Sequence, residues 1–108
     1  MSKQVKVIGL ITKKYPEMSD ADFYKHWLEV HAPILPGLKN IKGYRINFPI
    51  SEHQDLDVLP YAGTAELYWD SVEAMKEDFA SEVWAAAGAD AGLFLEGIHL
   101  YMEEHVII

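Results

Sequence analysis

The sequence predicts an α+β domain of the ferredoxin-like kind, with one four-stranded antiparallel sheet and helices packed on it. The first observation is the order of periodic segments, strand-helix-strand-strand-helix-strand, which is the split β-α-β arrangement. The second is composition, because half of the 108 residues are apolar and 12% are aromatic, enough for one packed core. The third is that the sequence shows no repeats, linkers or low-complexity tracts, so we expect a single domain over residues 1–108.

Composition also excludes several classes of partner and site. Seventeen acidic residues against nine basic ones give a net charge of −8, with no basic stripe to grip nucleic acid or anionic membranes. The sequence has no cysteine, which excludes disulfides, thiolate nucleophiles and zinc–thiolate sites. No stretch approaches the ~20 apolar residues that span a bilayer. A cytoplasmic location is the default expectation, with small organic molecules or other proteins as partners.

The first strand and the first helix have the clearest signals. In Lys3–Lys13 both alternating sets of side chains are apolar, which predicts a strand covered on both faces. Ser19 is a favourable N-cap, and the acidic residues that follow it suit the positive end of a helix. Pro33 disfavours helical geometry at the preceding residue, so the helix is expected to end near His31.

One stripe of the predicted first helix is mainly apolar and aromatic. It carries Phe23, Trp27, Val30 and His31 at helical spacing, with Tyr24 and Leu28 beside it. His26 lies off the stripe and is expected to face solvent. Five residues separate His26 from His31, about 500° of α-helical rotation, so the two imidazoles are not expected to converge. The sequence therefore predicts no metal site on this helix.

The remaining segments complete the predicted sheet. A second strand covers residues 43–48 and a third covers residues 63–69. The long loop between them, residues 49–62, has a length that is usually functional or mobile. Asp70-Ser71-Val72-Glu73 has the pattern of a capping box and opens a second helix. The small residues 85–92 predict only a short additional helix or turn, and the last strand covers residues 95–104.

The two faces of the sheet are assigned by their side chains. The face expected to carry the helices is apolar, with Ile46, Phe48, Leu67, Trp69, Ile98, Leu100 and Met102. The opposite face is expected to carry Arg45, Asn47, Glu66, Tyr68, His99 and Tyr101, among apolar residues of the first strand. Because this mixed surface is too apolar for simple solvation, we expect a homodimer in which two such faces meet and close a barrel. Polar groups inside that barrel would form either a mutually satisfied ion network or a ligand site.

Three motifs resemble one known family. Phe23-x-x-x-Trp27-x-x-x-His31-Ala32-Pro33, followed by Pro36-Gly37-Leu38, is similar to the first-helix motif of EthD-domain proteins. Pro60-Tyr61-Ala62-Gly63-Thr64-Ala65-Glu66-Leu67-Tyr68-Trp69-Asp70-Ser71 is similar to the loop and third strand of that family. Ala89-Asp90 with Phe94 is a weaker match before the last strand. The motifs cover nearly the whole chain, which therefore resembles a protomer of the dimeric α+β barrel superfamily.

The resemblance implies a dimer of ferredoxin-like protomers and chemistry on small molecules. The family is named for a bacterial gene cluster that degrades a tert-alkyl ether. Related barrels include methylmuconolactone isomerase, muconolactone isomerases, polyketide cyclases and cofactor-free quinol monooxygenases, and fungal relatives act as decarboxylases. Some related barrels bind haem, which the histidine spacing here disfavours. The family usually has an aspartate where this sequence has Ala62, so any role of that carboxylate is missing here.

Two histidines are the first candidates for catalysis. An imidazole has an ordinary pKa of about 6.5, so His31 could act as general acid or base at neutral pH. Its expected position at a helix C-terminus would favour the protonated form, which suits an electrophile or an anion-holding group. The structural alternative is a histidine that only caps the helix. His53 lies in the long loop, where a lid could deliver it over the barrel mouth or where it is simply solvated.

Aromatic residues are the next candidates. Tyr101 and Tyr68 could direct hydroxyl groups at a carbonyl or enolate oxygen, or could merely fill the barrel. Tyr61 could stack on a flat substrate or anchor the long loop. Trp27 shares the helical stripe of His31 and would lie beside any substrate that this histidine contacts.

Charged residues complete the candidate set. Glu66 could pair with Arg45 or His99, either as a buried acid–base pair or as a structural ion pair. The sequence thus assigns catalysis to His31, His53 and Tyr101, and substrate binding to Trp27, Tyr61, Arg45, Glu66, Tyr68 and His99. We expect neither a metal nor a cofactor, and the sequence has no glycine-rich nucleotide loop, nucleophile elbow or catalytic triad signature.

Two functions remain open at this point, with a purely structural dimer as a third. The leading hypothesis is a cofactor-free enzyme that isomerises, cyclises or decarboxylates a cyclic or aromatic metabolite, with quinol monooxygenation as the oxidoreductase variant. The rival is a non-catalytic binding or accessory protein of an oxidative degradation pathway, such as ether degradation. A cavity that contains His31 or His53 would favour catalysis, whereas an all-apolar cavity would favour carriage.

Overall fold

A computed structural model describes residues 3–108, which form one antiparallel sheet with helices on one side. The strands are β1 (Lys3–Lys13), β2 (Gly43–Asn47), β3 (Gly63–Trp69) and β4 (Leu95–His105), in the spatial order β2-β3-β1-β4. The helices are α1 (Asp20–His26), α2 (Val72–Phe79) and α3 (Glu82–Phe94). The predicted α+β fold of ferredoxin-like order is confirmed, with α2 and α3 together in the place of the second helix. That residues 1–108 form a single domain stays a prediction.

Serine side chains begin each of the three helices. Ser19 Oγ accepts the N–H of Asp22 at 3.1 Å, and Ser71 Oγ accepts the N–H of Ala74 at 3.1 Å, as predicted. Ser81 Oγ accepts the N–H of Trp84 at 3.2 Å and opens α3. Within residues 3–108, no helix combines the length and apolar character that a membrane span requires.

The third helix is much longer than the short helix or turn predicted for residues 85–92. It spans Glu82–Phe94, and the small residues form its middle. Alanine has the highest helix propensity, which offsets the two glycines at a cost of about 1 kcal/mol each. A Cβ at Gly88 or Gly92 would meet nothing within 4 Å, so these glycines create open space beside the helix and do not break it.

The segment after α1 changes its helical geometry before the chain turns. Trp27–His31 is a π-helical turn and Ala32–Gly37 is a 3₁₀ turn. Pro33 has no N–H with which to continue α-helical hydrogen bonding, which accounts for a change of geometry here. The predicted stripe is therefore wrong in part, since Val30 and Leu28 are half exposed while both ends of the π turn are buried.

The hydrophobic core lies between the sheet and the helices. Its fully buried members include Val7, Phe23, Trp27, Trp69 and Phe94. Gly63 permits the close approach of the Trp27 indole to β3, since a Cβ there would lie 2.9 Å from that ring. The same Cβ would lie 2.7 Å from the carbonyl oxygen of Asn47, so a larger residue would displace the strand as well.

Strand register shows which side chains share the helix-covered face of the sheet. Val7 pairs with Leu67 on β3 and with Tyr101 on β4, and Gly9 pairs with His99. Directly paired residues project to the same face of a sheet. His99 and Tyr101 therefore lie on the side of the helices, which we call the covered face, and the prediction that placed them opposite is wrong.

The other side, which we call the open face, carries the alternate set of side chains. Ile98, Leu100 and Met102 lie there, and 38–55% of their surface is exposed. The sequence prediction placed them under the helices because they are the more apolar set of β4. The assumption that the more apolar set of side chains faces the helices therefore fails for the edge strand β4 and assigns its two sets to the wrong faces. Arg45, Asn47, Glu66 and Tyr68 lie on the open face, as predicted.

Candidate functional site

A cavity of about 320 Å³ lies between the covered face and the helices. This volume is within the range of small-molecule sites. The sheet contributes the apolar residues Val7, Ile11, Ala65, Leu67 and Leu95, and the helical layer contributes Trp27, Leu35, Trp84, Ala87, Gly88 and Ala91. The polar lining consists of His31, Tyr44, His99 and Tyr101. The small side chains of α3 leave the space that larger residues would fill.

His31 is the buried polar group of this cavity. It is 8% exposed, and its Nδ1 lies 2.9 Å from Oδ2 of Asp90 on α3. A carboxylate accepts hydrogen bonds, so Nδ1 carries the proton and Nε2 keeps its lone pair. No hydrogen-bond partner for Nε2 lies within residues 3–108. His31 therefore lines the cavity and keeps one ring nitrogen, Nε2, that can accept a proton.

Burial keeps His31 neutral at physiological pH. Loss of water lowers the pKa of His31, and the hydrogen bond and negative charge of Asp90 offset that effect only in part. The nearby His26 lowers the pKa of His31 further. The expectation of a protonated residue at a helix C-terminus is wrong. The chain continues in helical form through Ala32–Gly37, so His31 does not lie at a free helix end.

Two tyrosines place hydroxyl groups around the same space. Burial raises the pKa of Tyr44, and the hydrogen bond from the Trp27 side chain offsets this only in part, so the phenol stays protonated at neutral pH. Tyr101 is 62% exposed, and its ring lies 6.2 Å from that of Phe79. His99 is also exposed, so the β4 edge forms the open side of the cavity.

Polar residues on the open face form a structural ion network instead. Lys6 Nζ lies 2.8 Å from Glu66 and 2.6 Å from Glu104. Glu66 therefore forms its salt bridge with Lys6, while Arg45, its cross-strand neighbour, acts on it only through its charge. The predicted pairing with His99 is wrong, because His99 lies on the covered face. Hydrogen bonds from Lys6 and the Asn47 amide lower the pKa of Glu66. Burial alone would lower the pKa of Lys6, but its carboxylate partners outweigh burial and raise it.

Two further open-face residues also contact each other. The guanidinium of Arg45 lies 5.1 Å from the centre of the Tyr68 ring, within the range of a cation–π interaction. Lys6 Nζ also lies over the Tyr68 ring, 4.8 Å from its centre. None of these side chains lines the cavity that contains His31.

The long loop holds its two candidate residues away from His31. His53 has a φ of 65°, lies in an exposed stretch and lines neither described cavity. Tyr61 lines a separate cavity of about 240 Å³, together with Phe48 and Pro60. The backbone of Ala62 contributes a carbonyl that accepts the Tyr24 hydroxyl at 3.0 Å.

The structure thus divides the predicted site residues into two groups. Trp27, His31, His99 and Tyr101 meet at one cavity, whereas His53, Tyr61, Arg45, Glu66 and Tyr68 lie elsewhere. Sequence analysis missed Tyr44 and assigned no role to Asp90. A signal for Asp90 was present, since it is the only charged residue in the small-residue stretch 85–92.

His26 corrects a second expectation of the sequence analysis. His26 was expected to face solvent, but it contacts Asp90 instead, with Nε2 at 3.0 Å from Oδ1. The two imidazoles therefore converge on one carboxylate, since the π turn alters the α-helical rotation on which the prediction relied. Their nitrogens bond this carboxylate directly, and residues 3–108 contain no group of three or more side chains arranged to hold a metal ion.

Comparison with protein families gives one match. The family model described as "EthD domain" matches residues 15–98, which is most of the chain. No curated protein sequence matches this chain.

Comparison with solved structures gives several similar folds at low sequence identity. An ethyl tert-butyl ether D (EthD) family protein from Bacillus halodurans is 19% identical with a TM-score of 0.71, over 95% of this chain and 99% of that chain. A dimeric ferredoxin-like protein of unknown function from Thermobifida fusca is 11% identical with a TM-score of 0.71, over 98% and 93%. SnoaB, a cofactor-independent oxygenase from Streptomyces nogalater, is 9% identical with a TM-score of 0.67, over 100% and 98%. These similarities show a shared fold.

Proposed function

This chain belongs to the EthD-domain family, and we propose that it is a cofactor-free enzyme that moves a proton on a small cyclic or aromatic metabolite. The observation that carries the proposal is His31, buried in the wall of a cavity with Nδ1 bonded to a carboxylate and Nε2 available. A cavity lined by this histidine is the feature that favours catalysis over simple carriage.

The proposed first step is proton abstraction by His31. The neutral imidazole accepts a proton at Nε2 from an acidic C–H or O–H group of the substrate, and Asp90 stabilises the imidazolium that forms. The protonated phenol of Tyr44 donates a hydrogen bond to the oxygen on which negative charge develops. Return of the proton to another atom completes an isomerisation or cyclisation, and loss of carbon dioxide before that return gives a decarboxylation.

The lining supports an uncharged, flat substrate. The rings of Trp27 and Trp84 and the aliphatic side chains around them provide apolar contact area. No lysine or arginine in the described part of the chain lines the cavity, so nothing there offsets the desolvation of a carboxylate or phosphate. A lactone, phenol or quinol ring that enters neutral and is deprotonated by His31 fits these walls best.

Oxygenation is the variant that begins with the same step. SnoaB, which shares the fold, is described as a cofactor-independent oxygenase. A deprotonated quinol in this mainly apolar cavity is electron-rich and can react directly with O₂. One oxygen atom enters the product, and the other leaves as water with two hydrogens from the substrate. His31 performs the same proton abstraction in both reactions, so the variants differ only in what captures the carbanion.

The rival proposal is a binding or accessory protein for an oxidative degradation pathway. The mainly apolar lining of the cavity supports it, since such walls hold a ring without chemistry. His31 favours catalysis, because binding an apolar ring does not require a buried histidine oriented by a carboxylate. The two proposals share the cavity and differ in whether His31 is needed.

We also propose that the protein is a homodimer joined through the open face, with a cytoplasmic location as the default. Ile98, Leu100 and Met102 leave apolar surface exposed on that face, next to ion pairs that satisfy their own charges. A protein of the same fold is described as dimeric. Sedimentation at micromolar concentration tests this proposal, and a monomer would contradict it.

The catalytic proposal is tested by solvent deuterium exchange. Wild-type protein and His31→Ala are incubated in D₂O with a panel of enolisable lactones and quinols, and deuterium incorporation at carbon is measured by mass spectrometry. We expect at least one compound to exchange with the wild type, and the exchange to fall by about 10²–10⁴-fold in the variant. Equal exchange in both proteins would eliminate His31 as the base, and binding without any exchange would favour the accessory protein.

A further inference from the structure

One carboxylate connects two histidines that differ in burial. Asp90 Oδ2 accepts from His31 Nδ1 at 2.9 Å. Asp90 Oδ1 accepts from His26 Nε2 at 3.0 Å, and the same nitrogen lies 3.2 Å from Oδ2, so only His26 contacts both oxygens. The side chains of His31 and Asp90 are 11% and 12% exposed, whereas that of His26 is 29% exposed. The arrangement thus runs from the surface, through Asp90, to the wall of the cavity.

Local geometry brings these three side chains together. The π-helical turn Trp27–His31 changes the rotation of the chain, so His26 and His31 both reach the same residue of α3. Phe94 packs against both rings, with its centroid 4.3 Å from that of His26 and 5.6 Å from that of His31. Phe94 is 1% exposed, so both imidazoles pack against a buried side chain of the core.

The two bonds have different consequences for the cavity. The bond to His31 sets which ring nitrogen carries the proton, because the carboxylate accepts from Nδ1 and leaves Nε2 as an acceptor. The bond to His26 has no such direct effect, since neither His26 nor Asp90 lines the cavity. A carboxylate held at only one oxygen can rotate away toward water, whereas one held at both oxygens is fixed in orientation.

We infer that His26 is a positioning residue, which fixes the Asp90 carboxylate so that His31 keeps its proton on Nδ1 and its Nε2 free to accept a proton. The inference rests on the proposed function for its purpose, but it concerns the His31 tautomer, which exists without substrate. His26 acts through Asp90 and does not itself contact the substrate. Sequence spacing alone argues against this role, because it separates the two rings on a regular α-helix.

Imidazole ¹⁵N NMR tests this inference on the ligand-free protein. Spectra are recorded above the ordinary histidine pKa of about 6.5, so that His31, whose pKa is lowered by burial, is neutral. In the wild type we expect His31 to show one tautomer, protonated at Nδ1, with a slowly exchanging N–H signal for both His31 Nδ1 and His26 Nε2. His26→Phe keeps a ring against Phe94 but removes the donor, whereas His26→Gln keeps an amide donor.

The two variants give opposite expectations. His26→Phe is expected to lose the slowly exchanging His31 Nδ1–H signal and to show both tautomers, while His26→Gln is expected to retain most of the wild-type pattern. His53→Gln, in the exposed loop, serves as the control and should leave the pattern unchanged. An unchanged His31 tautomer in His26→Phe would overturn the inference, and so would equal loss in both His26 variants.

The result stays interpretable if His26→Phe does not fold. The wild-type spectrum alone contradicts the inference if His31 carries its proton on Nε2, or if no protected His26 Nε2–H signal is present. Failure of the positioning role can also be distinguished from failure of the proposed enzyme function. A wild type with the expected tautomer but without deuterium exchange in any compound would reject the enzyme and keep the positioning role.

Discussion

The two faces of the sheet both carry polar side chains, but they differ in what those side chains contact. On the open face, Lys6 Nζ lies 2.6–2.8 Å from Glu66 and Glu104, so these charges are paired within the protein, although the geometry at Glu104 Oε2 does not make a hydrogen bond. On the covered face, His31 bonds Asp90 through one nitrogen, leaves the other without a bond in the described part of the chain, and lines a cavity. The difference indicates where chemistry is available, because a group already satisfied by its neighbours has little left to offer a ligand.

Packing also distinguishes the two faces. The covered face is closed by aromatic residues of the helices, and small residues of α3 leave a defined space between them. The open face has no helix, and its apolar side chains on β4 remain about half exposed. The covered face thus has the enclosed space that the proposed small-molecule site requires, whereas the open face has the exposed apolar surface that the proposed dimer requires.

The largest expected effect is the loss of stability when Phe94, which packs beneath the covered face, is truncated. Phe94→Ala should reduce the free energy of unfolding by about 3–5 kcal/mol, because it opens a void beside Phe23 and both histidine rings. The neighbouring Leu93 is 64% exposed, so Leu93→Ala should change stability by no more than about 0.5 kcal/mol. Urea unfolding measures both, and equal losses would mean that Phe94 is not the support described.

The next effect is on the ion network of the open face. Lys6→Met should cost about 1–3 kcal/mol, because it leaves the partly buried Glu66 and Glu104 without their shared cation. The control is Lys39→Met, which breaks an exposed, solvent-screened pair with Glu77 and should leave stability almost unchanged. Urea unfolding at low and moderate salt compares the two. A Lys6 variant as stable as the wild type would show that the network is not structural.

Filling the cavity with a larger side chain should weaken ligand binding and have little effect on the fold. Ala87 is buried and lines the cavity, so Ala87→Leu should weaken binding of the probe 2-naphthol by at least about 10-fold, or ~1.4 kcal/mol. Ala86 is exposed on the same helix, so Ala86→Leu should bind the probe like the wild type. Fluorescence titration measures the affinities. Undiminished binding in Ala87→Leu would place the probe outside the cavity.

The smallest expected effect is the contribution of His31 to the pH dependence of stability. Because burial lowers the pKa of His31 in the folded protein, the unfolded chain takes up the proton first as the pH falls. Stability from neutral His31 is thus fully present above the unfolded pKa of about 6.5 and is lost as the pH falls toward the folded pKa. Unfolding midpoints of wild type and His31→Gln between neutral and mildly acidic pH should converge as the pH falls. A constant difference would contradict the assignment.

Much of the fold was predictable because most strands have a clear apolar side. The phases of β2 and β3 were correct, since Ile46 and Leu67 alternate with charged or polar residues. The phase of β4 was not, because its two alternating sets are both partly apolar. Ile98 faces outward and His99 faces the helices, an order that only the register with β1 reveals.

The candidate site was predictable in part, for a similar reason. His31 and Trp27 were identified because four-residue spacing keeps them together in either helical geometry. His26 and Asp90 were not joined to them, since the π turn cannot be read from α-helical periodicity and Asp90 is 59 residues from His31. Tyr44 gave no signal of its own, because a tyrosine in a strand is usually a packing residue.

The most direct test of the account compares one residue from each face in the same deuterium-exchange assay. His31→Gln removes the proposed base on the covered face, and Glu66→Gln removes a carboxylate of the open face. With a compound that the wild type exchanges, we predict that His31→Gln loses the exchange and that Glu66→Gln keeps it. Exchange that survives in His31→Gln and disappears in Glu66→Gln would place the chemistry on the open face and contradict the account.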